Sequence, residues 1–335
     1  MYSNITFVSG LGATGSSALC DLFKEINEYY VMPEEFRLFV DPDGIFSLKS
    51  ALVDNWSIYQ SDFAIERFIK LVNNLNQKYS SPYYYLTHDK IFDKAIYQYL
   101  DDYINSLTDF KYNGLWLGRR NLYNIMLRNI FNKLRINKNY EMREIYVSQI
   151  LSSNEFYHHT RKFIHNLVMY CLRKSSKSKF VFDEGYLSMN PSNMISLLPH
   201  VKINVVIRDP RGIYAESKKW SFIPNDLDKF IQWQKALLKR WNRQKQNVSS
   251  NQILEIEFEN LVLDYNKTID KIFLFNGISH SSHAKKGIYF NPQVSRDNVF
   301  KWQTELPSDV SWKIFDSLKD VYKPFRNVQN IKMSR

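Results

Sequence analysis

The stretch Ile5–Leu19, ITFVSGLGATGSSAL, decides the fold. Its apolar run from Ile5 to Val8 is closed by Ser9-Gly10, and the segment from Ser16 to Ile26 has the apolar spacing of a buried helix. A strand, a glycine loop and a helix in this order open a parallel α/β sheet. Glycines let backbone N–H groups converge on an anion, and the helix adds the positive end of its dipole. The stretch therefore predicts a phosphate-binding loop.

The loop from Gly10 to Ser17 matches the P-loop pattern G-x-x-x-x-G-K-S/T except at Ser16, which stands where the pattern has lysine. In nucleotide kinases that lysine contacts the β- and γ-phosphates, and a Walker-B aspartate holds Mg²⁺. Asp183, after the apolar run Phe180–Phe182, is the one candidate for such an aspartate. A P-loop kinase acting on a small hydroxyl compound stays an alternative, as does a glycine turn that only packs the strand on the helix.

A second pattern for anion binding lies further along the chain. The strand-like run 202–207 ends at Arg208-Asp-Pro-Arg211, and Ser217 follows, one helical turn into the next helix-like segment. Open α/β sheets bind ligands at the carboxyl ends of their strands, where an arginine fork and a hydroxyl group can clamp a phosphate. A surface turn with an Arg–Asp pair would explain this tetrapeptide, but not its combination with the glycine loop.

The rest of the chain favours an α/β fold. Further strand patterns lie at 180–182 and 253–258, whereas residues 57–175 have apolar residues at the spacing of helices. No change in composition marks a linker. We therefore predict a single α/β domain over residues 1–335, with a P-loop-type parallel sheet flanked by helices and a large helical insertion at 57–175.

The formal net charge of +11 favours anionic partners, such as a nucleotide, a polyanionic glycan, nucleic acid or an acidic membrane face. Part of the excess lies between Arg119 and Lys138, where there is no acidic residue. Cys20 and Cys171 are too far apart for a CxxC motif. The first strand starts too early for a signal peptide, and no run of about 18 apolar residues indicates a spanning helix. These features predict a cytoplasmic protein.

Together, the glycine loop and the Arg-Asp-Pro-Arg segment resemble the sulfotransferases that use 3′-phosphoadenosine 5′-phosphosulfate (PAPS). The resemblance is to the bacterial carbohydrate-type branch, with some similarity to the tyrosylprotein sulfotransferases, and it covers residues 5–40 and 180–320. The further matching segments are Phe182-Asp183, 198–211, Leu254–Leu261 and Ser295–Trp302. The third of these is similar to the family's Y-E-D-L, and the last looks like its nucleotide-covering loop.

The resemblance implies which residues hold PAPS. The backbone N–H groups of the glycine loop would hold the 5′-phosphosulfate, with the hydroxyl groups of two serines assisting. These loop residues are Gly12, Ala13, Thr14, Gly15, Ser16, Ser17 and Ala18. Arg208 and Ser217 would hold the 3′-phosphate, and Arg296 with Lys301 would close over it. No metal is required, because the donor brings its own leaving group.

Sulfuryl transfer also needs a base that takes the acceptor's proton. The segment Met32–Arg37 follows the first helix, and its E-E-x-R form resembles the tyrosylprotein branch. The resemblance implies Glu35 as the base and Arg37 as its electrostatic partner, with Glu34 as the alternate base. Two surface glutamates in a loop are the other interpretation of this segment.

The chain departs from the family pattern at three places. Ala13 stands where the family has Arg or Lys, Asp183-Glu-Gly-Tyr186 replaces D-K-S/T-P, and Ser217 lies one residue later than the usual serine. Loss of one preorganised charge-stabilising group costs about 10²–10³ in rate. The candidates for a replacement cation are Arg37, Lys90, Arg119 and Arg120.

These observations predict a PAPS-dependent sulfotransferase that acts on a hydroxyl or amine of a glycan or glycolipid, as in surface polysaccharide biosynthesis, on an acceptor that is itself anionic. A PAP- or PAPS-binding pseudoenzyme is the main alternative, PAP being 3′-phosphoadenosine 5′-phosphate. Nucleic acid is not expected as a partner, since the charge permits it but no reader module is present. Peripheral membrane association and the oligomeric state are left open.

Overall fold

The computed structural model describes residues 4–76, 88–116, 130, 133 and 142–325. The chain forms two compact units. The first combines the described residues up to Val40 with those from Tyr170 onward, and the second runs from Asp41 to Met169. Most of the predicted insertion at 57–175 therefore falls in the second unit. The organisation as one domain with an insertion stays a prediction.

The first unit contains a parallel sheet of five strands, in the order β2-β5-β1-β6-β7. The strands are β1 (Ile5–Gly10), β2 (Tyr29–Glu35), β5 (Lys179–Asp183), β6 (Lys202–Ile207) and β7 (Ile253–Glu257). The central strand β1 lies between β5 and β6, with Phe7 opposite Phe182 on one side and Ile203 on the other. The predicted α/β fold with a parallel sheet is confirmed.

In the described part of the chain, helices lie between the strands and after the last strand in the sequence. They are α1 (Ser16–Lys24), α2 (Ile45–Lys49), α3 (Ile58–Leu75), α4 (His88–Phe92), α5 (Ala95–Leu107), α6 (Ser153–Ser175), α7 (Pro191–Leu197), α8 (Pro210–Ala215), α9 (Leu227–Gln244), α10 (Phe258–Leu263), α11 (Tyr265–Asn276), α12 (Pro292–Glu305) and α13 (Ser308–Leu318). Within the described ranges, no helix combines the length and the apolar character needed to cross a membrane.

The apolar spacing predicted a mostly helical insertion, but the second unit also contains strands. It includes an antiparallel pair of strands, β3 (Phe110–Gly114) and β4 (Arg143–Val147). In β4, the buried Ile145 and Val147 alternate with more exposed residues, which is the two-residue period of a strand. The fully buried carboxylate of Asp62 in α3 pairs with Arg143 and accepts a hydrogen bond from the backbone N–H of Tyr146. This buried pair ties the short sheet to α3.

An aromatic cluster fills the core beside β1 and β5. The ring of Phe182 stacks on Phe7 at 5.1 Å between centroids, and it contacts Phe36 at 4.8 Å and Phe180 at 4.5 Å. All four side chains are fully buried. Because Phe36 directly follows β2, this packing fixes the chain where the edge strand ends.

Replacing Phe182 with alanine should lower the free energy of unfolding by about 3–5 kcal/mol, because it removes a buried ring and leaves a cavity among three others. Urea denaturation followed by tryptophan fluorescence measures the change. The matched control is Leu274→Ala, whose side chain is 86% exposed and which should change stability by no more than about 0.5 kcal/mol. Equal effects of the two substitutions would contradict the central position of Phe182.

Candidate active site

The loop between β1 and α1 has the backbone shape of an anion-binding turn. Gly12, Ala13 and Gly15 adopt positive φ angles of 92°, 52° and 86°. A Cβ on Gly12 would lie 2.5 Å from the hydroxyl oxygen of Tyr186, and one on Gly15 would lie 2.5 Å from Cδ2 of Phe258. Both glycines are therefore needed for space as well as for conformation. Ala13 tolerates a conformation that costs an L-residue about 1–2 kcal/mol, and such strain is concentrated at functional sites.

The hydroxyl groups of the loop have different surroundings. Thr14 is buried, and its Oγ1 accepts a hydrogen bond from the backbone N–H of Leu11 at 3.3 Å. The N–H of Ala18 donates to the carbonyl of Gly15 at 3.1 Å. Ser16 and Ser17 begin α1, half-buried and exposed respectively, where the first N–H groups of a helix lack partners within the helix. These two serines are thus the loop hydroxyls best placed to meet an anion.

Arg208, directly after β6, reaches the glycine loop. Its side chain is 4% exposed, and its Nη1 lies 3.5 Å from the carbonyl oxygen of Ala13. Its guanidinium also lies over the ring of Phe258, the residue that faces Gly15, at 5.0 Å from the ring centroid. The two motifs recognised in the sequence therefore meet at one edge of the sheet.

The second arginine of the same motif holds the turn together. Asp209 caps α8 by accepting a hydrogen bond from the backbone N–H of Arg211 at 2.8 Å, and it accepts three further bonds from the Arg211 guanidinium. That guanidinium lies 3.6 Å from the ring centroid of Trp302. Because Arg211 and Trp302 are both buried against each other, the structure gives them a packing role.

The remaining residues expected around the 3′-phosphate are only partly brought together. The sequence predicted Ser217 within the helix after Arg208. Because the helix α8 ends at Ala215, Ser217 lies instead in the following 3₁₀ turn. Ser217 is buried there. Residues 295–302, expected as a covering loop, belong to α12. On that helix Lys301 points toward Arg208's partner Glu216, with 3.4 Å between Nζ and Oε1, whereas Arg296 is exposed.

Glu35 stands at the carboxyl end of the edge strand β2. Pro33 is tolerated in this strand because one side of an edge strand makes no ladder bonds. The pairing with β5 is irregular between Val31 and Glu35, and this bulge places Glu35 opposite Asp183. The Oε2 atom of Glu35 accepts a hydrogen bond from Nη1 of Arg37 at 2.8 Å. The structure thus supports the predicted Glu35–Arg37 pair, and Glu34 is half-buried beside it.

Glu184 explains one departure from the family pattern. It occupies the position where the family has the lysine of D-K-S/T-P, and it is 1% exposed. Its carboxylate accepts hydrogen bonds from the backbone N–H groups of Arg37, at 2.9 Å, and Val40, at 3.3 Å. Arg37 has a positive φ of 65°, so Glu184 holds a strained turn in place. A structural acid therefore replaces a catalytic cation.

Tyr186 is a site residue that the sequence did not indicate. Its backbone is left-handed, with φ of 60°, and its hydroxyl lies over Gly12. The following turn is anchored to the end of β1, because Ser188 donates from its N–H to Ser9 Oγ and from its hydroxyl to the Gly10 carbonyl. Burial raises the pKa of Tyr186, and the nearby charge of Glu35 raises it further. The ring thus connects the Glu35 pair with the glycine loop.

Asp183 lies at the centre of this edge, between Glu35 and α1. Burial, and then the charge of Glu35, raise its pKa to about 7, against the lowering effect of a hydrogen bond with the Cys20 thiol. Its Oδ1 is buried without a hydrogen-bond partner among the described residues. The carboxyl therefore keeps its proton to a higher pH than an exposed aspartate does.

The other candidates for a replacement cation are not part of the first unit's described residues. Lys90 lies in α4 of the second unit, and Arg119 and Arg120 lie outside the described residues. Among the side chains that the structure describes, no group of three or more His, Cys, Asp and Glu residues is arranged to hold a metal ion. Arg37 is the one candidate cation that the first unit places beside Glu35.

The sequence of this chain matches the family model described as "Sulfotransferase family" over residues 122–282. That segment includes β5, β6 and the Arg208 turn, whose contact with the glycine loop is described above. Over this segment the chain is similar to the sulfotransferase family. Sulfotransferases of this kind are enzymes with PAPS as their co-substrate, so the predictions of family, enzyme class and co-substrate are confirmed.

Solved sulfotransferase structures are similar to this one at low sequence identity. The sulfotransferase domain of the olefin synthase of Synechococcus PCC 7002 is 10% identical, with a TM-score of 0.46 and coverage of 94% of this chain and 92% of that one. The sulfotransferase domain of the curacin biosynthetic pathway is 11% identical, with a TM-score of 0.46 and coverage of 95% and 98%. Retinol dehydratase, in complex with androsterone and the inactive cofactor PAP, is 12% identical, with a TM-score of 0.38 and coverage of 96% and 81%. No curated protein matches the sequence.

The raised pKa of Asp183 makes the stability of this sulfotransferase depend on pH. Between the ordinary value of 3.8 and about 7, the folded state keeps a proton that the unfolded chain has lost, so this contribution to stability falls as the pH rises. The variant Asp183→Asn lacks the titration. Its free energy of unfolding relative to wild type should therefore rise between about pH 4 and pH 7, by about 1.4 kcal/mol for each unit of pKa shift.

Urea denaturation of both proteins at several pH values measures this difference. A loss of the Cys20 hydrogen bond would offset the two curves equally at every pH. A difference between wild type and Asp183→Asn that stays constant from pH 4 to pH 8 would contradict the raised pKa.

Proposed function

We propose that this sulfotransferase transfers a sulfuryl group from PAPS to a hydroxyl or amine of a glycan or glycolipid, with Glu35 as the general base. The observation that carries the proposal is the chain of contacts at the carboxyl edge of the sheet. Tyr186 lies between Gly12 of the glycine loop and the Glu35–Arg37 pair. A donor phosphate on the loop and an acceptor beside Glu35 would therefore be neighbours.

The donor site is formed by the glycine loop and the Arg208 turn. The backbone from Gly12 to Ser17, with its positive φ angles and the amino end of α1, supplies N–H groups and dipole for the 5′-phosphosulfate. Arg208 supplies a buried guanidinium at the far side of the same loop. One hydrogen-bond donor of Arg208 supports the binding of a donor phosphate at this site. Its Nε is buried and has no hydrogen-bond partner among the described residues.

The donor supplies an activated sulfuryl group and a phosphate leaving group. Glu35 takes the proton of the acceptor while the acceptor oxygen or nitrogen forms its bond to sulfur, and the bond from sulfur to the phosphate oxygen breaks with its electron pair. Arg37, 2.8 Å from Glu35, orients that carboxylate before the transfer. The negative charge that develops on the phosphate is met by the loop N–H groups.

Arg37 and Tyr186 together take over from the missing family cations. Arg37 brings a guanidinium charge beside Glu35, with 2.8 Å between its Nη1 and the Oε2 of Glu35. Tyr186 stays protonated at neutral pH because its pKa is raised above its ordinary value by burial and by Glu35. Its hydroxyl is thus a neutral hydrogen-bond donor over the loop, and it makes no hydrogen bond to a described residue that would compete.

The acceptor class is supported by the surface beside the loop. Phe222 lies 3.4 Å from the position of a Cβ on Gly12, and it contacts Trp220 with 5.7 Å between ring centroids. Both rings are about half exposed, which gives a sugar ring two apolar faces to lie against. The net charge of +11 favours an anionic glycan. A role in surface polysaccharide biosynthesis, in the cytoplasm or peripherally on a membrane, belongs to the same proposal.

A binding protein without catalysis is the second candidate function. Ala13 and Glu184 favour it, because each stands where the family has a cation. Tight binding of PAP without sulfate transfer to any acceptor in a glycan panel would support it over the enzyme.

The variant Glu35→Gln should retain PAP binding and lose sulfuryl transfer by about 10²–10⁴-fold, because the isosteric amide cannot accept the proton. Calorimetric titration with PAP and transfer of labelled sulfate from PAPS to a glycan panel measure the two properties. The control is Glu28→Gln, since Glu28 pairs with Lys179 at the opposite end of the strand region. Transfer that persists in Glu35→Gln but disappears in Glu34→Gln would assign the base to Glu34 instead.

The variant Tyr186→Phe should lower kcat by about 10²-fold, as removal of one donor to a developing charge does, and leave the KM for PAPS nearly unchanged. Steady-state kinetics with varied PAPS separates the two constants. A matched control is Tyr29→Phe, because the Tyr29 hydroxyl bonds to Thr6 at the amino end of the sheet. An unchanged kcat for Tyr186→Phe would remove this residue from the mechanism.

A further inference from the structure

An acidic residue stands where the family places the serine of its 3′-phosphate site. The usual spacing from the arginine to that serine ends one residue before Ser217, which is the position of Glu216. Because α8 ends at Ala215, the chain turns at this point, and the carboxylate of Glu216 is directed back toward Arg208.

Three basic side chains surround this carboxylate. Its Oε2 accepts a hydrogen bond from Nη1 of Arg208 at 2.8 Å, and its Oε1 lies 3.4 Å from Nζ of Lys301 and 3.7 Å from Nζ of Lys219. The Glu216 side chain is 14% exposed and that of Arg208 is 4% exposed. Although burial opposes ionisation, the hydrogen bond and charge of Arg208, with the two lysines, hold the pKa of Glu216 below its usual range. This arrangement is an anion site whose anion belongs to the protein.

The same basic residues include those that the resemblance assigns to the donor. Arg208 and Lys301 were both expected at the 3′-phosphate, and in the structure both bond to Glu216. The Nη2 atom of Arg208 donates to the carbonyl of Asn298 at 2.8 Å. Among the described residues, this leaves Nε as the buried donor of Arg208 without a partner.

We infer that the carboxylate of Glu216 occupies the position of the donor's 3′-phosphate and competes with it for Arg208 and Lys301. A nucleotide with a 3′-phosphate must displace Glu216 or bind beside its negative charge. The 3′-phosphate therefore adds little affinity, and adenosine nucleotides with and without it bind with similar strength. The inference rests on the proposed donor site. PAPS stays the sulfuryl donor, and Glu216 determines how weakly the enzyme distinguishes it from nucleotides that lack the 3′-phosphate.

Calorimetric titration with PAP and with adenosine 5′-phosphate tests the inference on the full chain. For the wild type, the two dissociation constants should agree to within about tenfold, which is less than one charge-assisted contact contributes. In Glu216→Gln, the affinity for PAP should rise by roughly tenfold or more as Arg208 and Lys301 become available, whereas the affinity for adenosine 5′-phosphate should stay within about twofold.

The matched control is Glu305→Gln. Glu305 also pairs with Lys301, at 3.5 Å, but it is 46% exposed and has no contact with Arg208, so its removal should change both affinities by less than about twofold. Thermal unfolding checks that each variant is folded. Should Glu216→Gln not fold, the comparison of the two nucleotides on the wild type still decides the inference.

The outcomes distinguish failure of the inference about Glu216 from failure of the proposed function. Binding of PAP that is already about a hundredfold tighter than that of adenosine 5′-phosphate in the wild type overturns the role of Glu216 and leaves the proposed function intact. An unchanged ratio in Glu216→Gln does the same. No binding of either nucleotide by any of the proteins overturns the proposed donor site, and the inference with it.

Discussion

The position of β1 between two parallel neighbours is the constraint on which the site depends. Pairing of β1 with β5 and with β6 in parallel register brings the carboxyl ends of all three strands to one edge. Each strand is followed there by a turn that carries chemistry: the glycine loop, the Asp183–Ser188 turn and the Arg208 turn. Because backbone hydrogen bonds fix the register, the distances between these turns follow from the sheet and not from the turns themselves.

Packing then determines the shape of the glycine loop. Gly12 and Gly15 have no room for a Cβ, since the Tyr186 hydroxyl and the Phe258 ring occupy that space. The same Phe258 ring lies beneath the Arg208 guanidinium. The loop is thus held on two sides by aromatic side chains that follow the strands β5 and β7, and its N–H groups are preorganised before any anion binds. Preorganised donors are worth more than mobile ones because they need no reorientation when charge develops.

The sequence was sufficient for the features that depend on local patterns. The apolar run before the glycines, the helical spacing after them and the Arg-Asp-Pro-Arg turn after an apolar strand each involve neighbours in the chain, so β1, α1 and the end of β6 could be predicted. The Glu35–Arg37 pair was accessible for the same reason, because its two members are two residues apart.

Features that depend on distant partners were not predictable in this way. Tyr186 has no motif, and its place over Gly12 follows from a left-handed turn anchored to Ser9 and Gly10. The short sheet of the second unit has only five residues in each strand, too few to stand out against helical spacing. Residues 295–302 were expected to form a loop because the resemblance to the family assigned them a covering loop. The structure has them in the helix α12.

The departures from the family pattern share one electrostatic consequence. Glu184 stands in place of a lysine and Glu216 in place of a serine, so two acids are added at the edge where a polyanion is expected. Each acid is held by a specific set of donors: backbone N–H groups for Glu184, and Arg208 with two lysines for Glu216. Their charges are therefore compensated within the protein, and the basic groups that compensate Glu216 are engaged by it before a ligand binds. The loop N–H groups and the amino end of α1 therefore supply most of the attraction for the donor. Because these are backbone groups, a side-chain substitution at position 184 or 216 does not remove them.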